Sequence, residues 1–252
     1  LGDAVRRDMT VLFADLKGFS AQTRALEPGA RFDLLNEHLA LIEPIVIDHG
    51  GVVDKFVGDA VMAVFDRRAA DAVEAGVAML RTVAEANARR VAQGTRPIEL
   101  GIGINTGPLM LGTVGTESRM DTTVISDAVG LAHRVEGLTR PYRSGLLITQ
   151  STRRALDEPL RWATRLIDVL SLDEGDAPTP VYEVYEADAP ARRLAKRATQ
   201  AAFERGVQAF HAREVDEAVV QFRLCRALDG GDPATRLYLE RCARIEEAFV
   251  RV

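Results

Sequence analysis

Two aspartates stand where a chain could hold divalent cations. Asp15 ends the apolar run Met9 to Leu16 in Val11-Leu12-Phe13-Ala14-Asp15-Leu16-Lys17-Gly18-Phe19-Ser20, and Asp59 lies in Asp54-Lys55-Phe56-Val57-Gly58-Asp59-Ala60-Val61-Met62-Ala63-Val64-Phe65. The first run is β-branched and apolar, as a buried strand is, and stops at a carboxylate followed by a glycine turn. The second reads as a hairpin, with Val52 to Val57 and Ala60 to Phe65 as strands and Gly58-Asp59 closing them. Carboxylates at adjacent strand ends can share Mg²⁺ ions, which favour a few carboxylates completed by phosphates and water, and that arrangement is a two-metal phosphoryl site. Taken singly, either Asp is equally explained as turn chemistry.

The elements that position them follow in order. Arg31 to His49 has a helical apolar period ending at Gly50-Gly51, and Asp71 to Ala92 is a second amphipathic helix closed by Gly94 and Pro97. Strand patterns follow at Ile98 to Asn105, Pro108 to Val114 and Thr122 to Ile125, then a helix over Asp127 to Leu138 and strands at Gly145 to Thr149 and Val181 to Glu186. Such alternation predicts an α/β (α+β) sandwich, one sheet with helices on one side. Period-two alternation puts Lys55 on the same side as Val53 and Val57. Composition shifts at 173–180 and at Ala187-Asp188-Ala189-Pro190, beyond which strand patterns cease. Phe203, Gly206, Ala218, Phe222 and Pro233 approximate one tetratricopeptide unit, with a plain helical hairpin as the alternative. One such unit cannot bury its own apolar face, so Phe203, Phe210, Phe222, Leu224 and Leu237 need the core or another subunit against them.

The composition bounds the rest. In 252 residues, 47% are hydrophobic and 27% charged, enough for one full domain and a small one. A net charge of −5 argues against a general nucleic-acid surface, the basic run Arg192 to Arg197 notwithstanding. No apolar stretch is long enough to cross a membrane. Cys225 and Cys242 make no zinc or disulfide pattern, which suits a reducing compartment. The abrupt start at Leu1-Gly2-Asp3 suggests a piece of something longer.

The blocks around Asp15 and Asp59 resemble the signature segments of the class III nucleotidyl cyclases, the adenylate and guanylate cyclases, and the likeness runs from about Arg7 to Tyr185. It implies a ferredoxin-like catalytic domain over 1–187 with an all-α tail over 188–252. It also implies two Mg²⁺ or Mn²⁺ ions on Asp15, Asp59 and the Leu16 carbonyl, with Gly18 and Phe19 at the nucleotide. Lys55 takes the base-reading position. Lys is donor-only and suits adenine N1, whereas guanine N1 carries a hydrogen.

The stretch Asp121 to Arg134 is similar to the family segment Tyr-Thr-Val-Ile-Gly-Asp-Ala-Val-Asn-Leu-Ala-x-Arg. Thr123 then partners Lys55 at the base, and Arg134 stabilises charge on the α-phosphate. The resemblance further implies a head-to-tail homodimer, with metal ligands from one copy and Lys55, Thr123 and Arg134 from the other. It points to a cytoplasmic domain of a receptor-type cyclase whose sensor and membrane helices precede it.

Departures from the pattern are Gly130 for the usual Asn, Ser126 for a usual Gly, and Glu174 in Ser171 to Gly175, where relatives often carry Lys-Gly. Three readings result: an ATP-using cyclase, a guanylate cyclase with atypical base recognition, and a nucleotide-binding or dimerisation module with weakened turnover.

Overall fold

The structure is a computed structural model and describes residues 4–19, 23–24, 27–116, 119–171 and 177–250. Its elements are β1 (Ala4–Lys17), α1 (Pro28–Asp48), β2 (Val52–Val57), β3 (Ala60–Phe65), α2 (Ala69–Ala92), β4 (Glu99–Thr116), β5 (Arg119–Ile125), α3 (Asp127–Tyr142), β6 (Leu146–Thr149), α4 (Gln150–Arg154), β7 (Thr164–Leu170), β8 (Thr179–Val184), α5 (Pro190–His211), α6 (Val215–Leu228) and α7 (Pro233–Val250). The strands form one sheet in the order β2-β3-β1-β4-β6-β8-β7, with β5 paired to β4. From β1 to β4 the order is βαββαβ, and the β2-β3-β1-β4 portion is wholly antiparallel, which is the ferredoxin-like arrangement.

The sheet is covered on both faces, not on one as the alternation suggests. On β1, Leu12, Ala14 and Leu16 enter a core with α1 and α2, while Val11 and Phe13 enter a second core with Ala132 of α3. Strands buried on both sides read as continuous apolar runs, as β3 does, so period two is hidden.

Three other expectations change. β4 is one strand across Pro108, which lies between the end of its pairing with β6 at Ile104 and the start of its pairing with β5 at Met110. A residue without an N–H is tolerated there because only β1 flanks it. β7 does not show in the sequence because Arg165 and Asp168 interrupt its apolar pattern. On β2, the register slips between Val53 and Lys55, so Val53 lies opposite Ala63 but Lys55 lies opposite Met62. Cross-strand partners share a face, so this bulge turns Lys55 away from Val53 and onto the α3 side.

The apolar face of the tail closes on the sheet. Phe203, Val207, Phe222, Cys225, Tyr238 and Cys242 share a core with Val135, Tyr142, Leu147, Ile167 and Val181. The charged residues of β7 are answered from β8, α3 and the tail. Arg165, 1% exposed at its side chain, donates from Nε to Glu183 at 2.7 Å and through both Nη atoms to Asp232 at 2.8 and 2.9 Å, under the Phe203 ring. Lys196 reaches the other Glu183 oxygen at 2.8 Å. Asp168 accepts from Tyr142 at 2.6 Å and pairs with His211 at 2.8 Å. Among the described residues no helix is long and apolar enough to cross a membrane.

Burial raises the Glu183 carboxyl, but the Arg165 and Lys196 charges outweigh it and hold the group down at about 2 against an ordinary 4.5. A depressed carboxylate contributes stability that is present above its ordinary value and lost as the pH falls toward the folded one. Denaturant unfolding should therefore show stability declining from about pH 5 toward 2. Glu183→Gln should start about 3 kcal/mol lower at neutral pH, because it leaves buried cations underpaired, and should decline less steeply in acid. Parallel acid limbs in the two proteins would contradict this account.

Candidate active site

Asp15 lies two residues before the end of β1, on the face that carries Val11 and Phe13, across from Ala60 on one side and Gly101 on the other. That glycine neighbour decides what surrounds the carboxylate. In Leu100-Gly101-Ile102-Gly103-Ile104 the aliphatic residues fill the α1/α2 core, and the glycines face α3. A Cβ on Gly103 would lie 2.2 Å from the Glu136 backbone nitrogen, and one on Gly101 would lie 2.2 Å from Thr139 Oγ1 and 3.0 Å from Glu136 Oε1. The helix thus sits directly on the β4 backbone and brings Glu136 and Arg140 beside Asp15.

Both ends of α3 are fastened. Lys17 Nζ donates to the carbonyls of Thr139 at 3.1 Å and Ser144 at 2.7 Å, and burial lowers its pKa to about 8. At the other end Ser126 is the N-cap: its Oγ accepts from the Ala128 N–H at 3.0 Å and donates to the Pro108 carbonyl at 2.6 Å. Asn105 Nδ2 donates to the Ala128 carbonyl at 2.9 Å.

Between α3 and the hairpin lies a cleft of about 580 Å³, lined by Phe13, Asp15, Lys55, Asp59, His133 and Arg140 among others. Gly58, at φ +65, closes the hairpin and sets Asp59 at its tip. Burial and then the Asp15 charge raise the Asp59 carboxyl. The same two causes push Glu136 up to about 7. Arg140 Nη2 donates to Asp15 Oδ2 at 2.7 Å, and Lys55 Nζ lies 3.2 Å from Asp54 Oδ2.

The cleft therefore brings together Asp15, Asp59 and Lys55. It does not include Arg134, whose Nη2 turns the other way to the Ser171 carbonyl at 3.4 Å. Gly130 shares that outer face, and a Cβ there would meet nothing within 4 Å. Leu16 is buried in the α1/α2 core, Gly18 turns the chain at φ +74, and the Phe19 ring packs toward His38 of α1 at 6.4 Å, outside the cleft. Thr123 lies on β5 opposite Gly112, but its side chain is outside the described residues, as is all of 172–176 with Glu174. The sequence reading missed Lys17, Glu136 and Arg140. Glu136 and Arg140 are spaced i, i+4 with His133 on the same side of a helix, and the alternating glycines of β4 signal where that helix lands.

The residues fit divalent cations. Among the described residues no group of three or more His, Cys, Asp or Glu is arranged to hold a metal ion. Two hard carboxylates converge instead, burial and then the Asp15 charge raise Asp59, and a guanidinium pairs with Asp15. Such a donor set suits Mg²⁺ or Mn²⁺ completed by phosphate and water.

Comparison with known proteins agrees with this geometry. The family described as Adenylate and Guanylate cyclase catalytic domain matches residues 4–173. The chain is 34% identical over 250 residues, 96% of its length, to the terminal-differentiation specific adenylate cyclase of Dictyostelium discoideum. It is 41% identical over 190 residues, 73% of its length, to an adenylate cyclase of Anabaena cylindrica. It spans 12% of the first relative and 38% of the second. Among solved structures, the adenylyl cyclase CyaB from P. aeruginosa superposes with a TM-score of 0.65 at 33% identity, covering 73% of this chain and 96% of that one. The guanylyl cyclase Cya2 superposes at 0.64 with 28% identity, covering 75% and 97%. The chain belongs to the class III adenylate and guanylate cyclase catalytic-domain family.

Proposed function

We propose that this chain converts ATP to 3′,5′-cyclic AMP and pyrophosphate, with two Mg²⁺ or Mn²⁺ ions on Asp15, Asp59 and the Leu16 carbonyl, in a head-to-tail homodimer. The observation that carries it is the division of α3. The face with Glu136 and Arg140 looks into the cleft of Asp15 and Asp59, while Arg134 looks outward. A single copy therefore has the cation ligands without the arginine, which suits a site shared by two copies. Divalent ions held there would lower the pKa of the ribose 3′-hydroxyl and neutralise the triphosphate.

The chain's own residues do the rest. The Lys55 ammonium of the second copy, turned onto the α3 side by the β2 bulge, donates to adenine N1, and that copy's Thr123 accepts from the exocyclic amine. Gly18 and Phe19 reach the nucleotide through their backbone at the turn after β1, the Phe19 ring being packed toward His38. Arg134 from the second copy follows charge onto the α-phosphate oxygens at a fixed guanidinium. Residues 188–252 form a helical, tetratricopeptide-like unit, and the domain functions in signal transduction on the cytoplasmic side, downstream of a membrane-bound sensor. The open space at Gly130 favours one further reading, a nucleotide-binding module of reduced turnover.

The purified chain supplied with ATP or GTP and either metal should make cyclic AMP in preference to cyclic GMP. Lys55→Glu should shift that ratio toward GTP, since Glu accepts from guanine N1–H and N2–H₂. Equal or better cyclic GMP production by the natural chain would overturn the base assignment.

Asp59→Ala and Arg134→Ala should each lose roughly two to three powers of ten in turnover while folding and dimerising normally. Mixing the two should restore activity, because one site of the heterodimer then has every group. Heterodimers that form without regaining turnover would rule out a shared site.

Gly130→Asn should fold normally, since its Cβ enters open space. If a missing side chain limits the chemical step, the variant should raise kcat with little change in KM. A fall in kcat together with weaker nucleotide binding would instead show that ribose or the second copy approaches this backbone closely.

A further inference from the structure

Resting on the reading of Asp15 as a cation ligand, we propose that Arg140 is an exchangeable counter-ion. It occupies the Asp15 carboxylate until a divalent cation takes that place, and then binds phosphate oxygens of the nucleotide in the same cleft.

Three observations carry this. Arg140 Nη2 lies 2.7 Å from Asp15 Oδ2, on a carboxylate side chain only 10% exposed, so a cation approaching that oxygen meets the guanidinium first. The Arg140 side chain is itself 59% exposed. It can swing away without moving the helix, whose last turn is held by Lys17 at the Thr139 and Ser144 carbonyls. The displaced guanidinium remains at the cleft, which it lines together with Asp59 and Lys55.

The exchange is easy in both directions because an ion pair with one exposed partner is weak. Its destination is set by chemistry: the planar fork of an arginine matches phosphate oxygens two at a time, which a lysine cannot do. Once cations cover Asp15 and Asp59, the triphosphate is the largest negative charge in the cleft, beside the single carboxyl of Glu136.

The test uses the full chain and two probes. One is Mn²⁺ alone by calorimetry. The other is 2′,3′-dideoxy-ATP with saturating Mn²⁺, an analogue that lacks the attacking hydroxyl. Arg140→Gln should bind Mn²⁺ about fivefold more tightly than the natural chain, the change expected on removing one weak competing ion pair. It should bind the nucleotide analogue about tenfold more weakly, for loss of a charge-assisted contact. Arg140→Lys, which keeps the charge but not the fork, should leave Mn²⁺ affinity near the natural value and still weaken the analogue. Unchanged or weaker Mn²⁺ binding in Arg140→Gln overturns the counter-ion role, and unchanged analogue binding overturns the phosphate role. Asp15→Asn separates the two levels of argument. If it binds Mn²⁺ as well as the natural chain does, the cation reading of Asp15 falls and the inference with it. If it loses Mn²⁺ while Arg140→Gln gains nothing, only the inference falls.

Discussion

The seat of α3 on the glycine face of β4 is the constraint from which the site follows. At Gly103 a larger residue would meet the helix backbone at Ala132 and Glu136, and at Gly101 it would meet the Thr139 and Glu136 side chains, at distances no side chain tolerates, so helix and sheet are in backbone contact at Gly103. Because Asp15 pairs with Gly101 across the sheet, the residues of the last helical turn fall around its carboxylate. Lys17, two residues on and on the same face, then ties the carbonyl end of that turn to β1. One strand thus supplies both the acid and the clamp that aims a helix at it. Arg134 and Gly130, on the opposite side of α3, are directed outward by the same contact.

Much of this was legible in the sequence, and what was not has identifiable causes. The strand carrying Asp15 and the Gly58-Asp59 hairpin were readable because local chemistry dictates them: an apolar run, a glycine at positive φ, a short connection. The orientation of Lys55 was not, because alternation assumes an unbroken register and the slip after Val53 leaves no mark in residue type. β7 was hidden because its charged residues look like surface until their partners are known. Arg165 is matched by Asp232, far along the chain, and no local pattern carries that distance. Arg140 escaped notice because a basic residue in a last helical turn is ordinarily a response to the helix dipole.

The tail is as much a part of the sheet's cover as the helices of the cyclase fold. Tyr142, the last residue of α3, donates to Asp168 of β7, accepts from Arg241 of α7 at 2.5 Å, and packs at a tilt against the Tyr238 ring. The helix that aims Arg140 at Asp15 and Arg134 outward is therefore gripped at its C-terminal end from two sides, by Lys17 from β1 and by α7 from the tail. Displacing the tail would expose Phe203, Phe222 and Tyr238 and strip Asp232 from Arg165, so the tail and this end of α3 share one packed core.

Two departures from the family pattern lie on the same helix and have different physical standing. Ser126 replaces a glycine and is fully employed. It caps the helix by accepting from Ala128 and braces β4 by donating to Pro108, gains a glycine could not offer. Gly130 has no such account within one copy. No neighbour crowds it, its φ is not one that favours glycine, and a glycine inside a helix costs about 1 kcal/mol relative to alanine. In a shared site, position 130 and Arg134, one turn apart on the outward face, are the residues that would meet the nucleotide held by the other subunit.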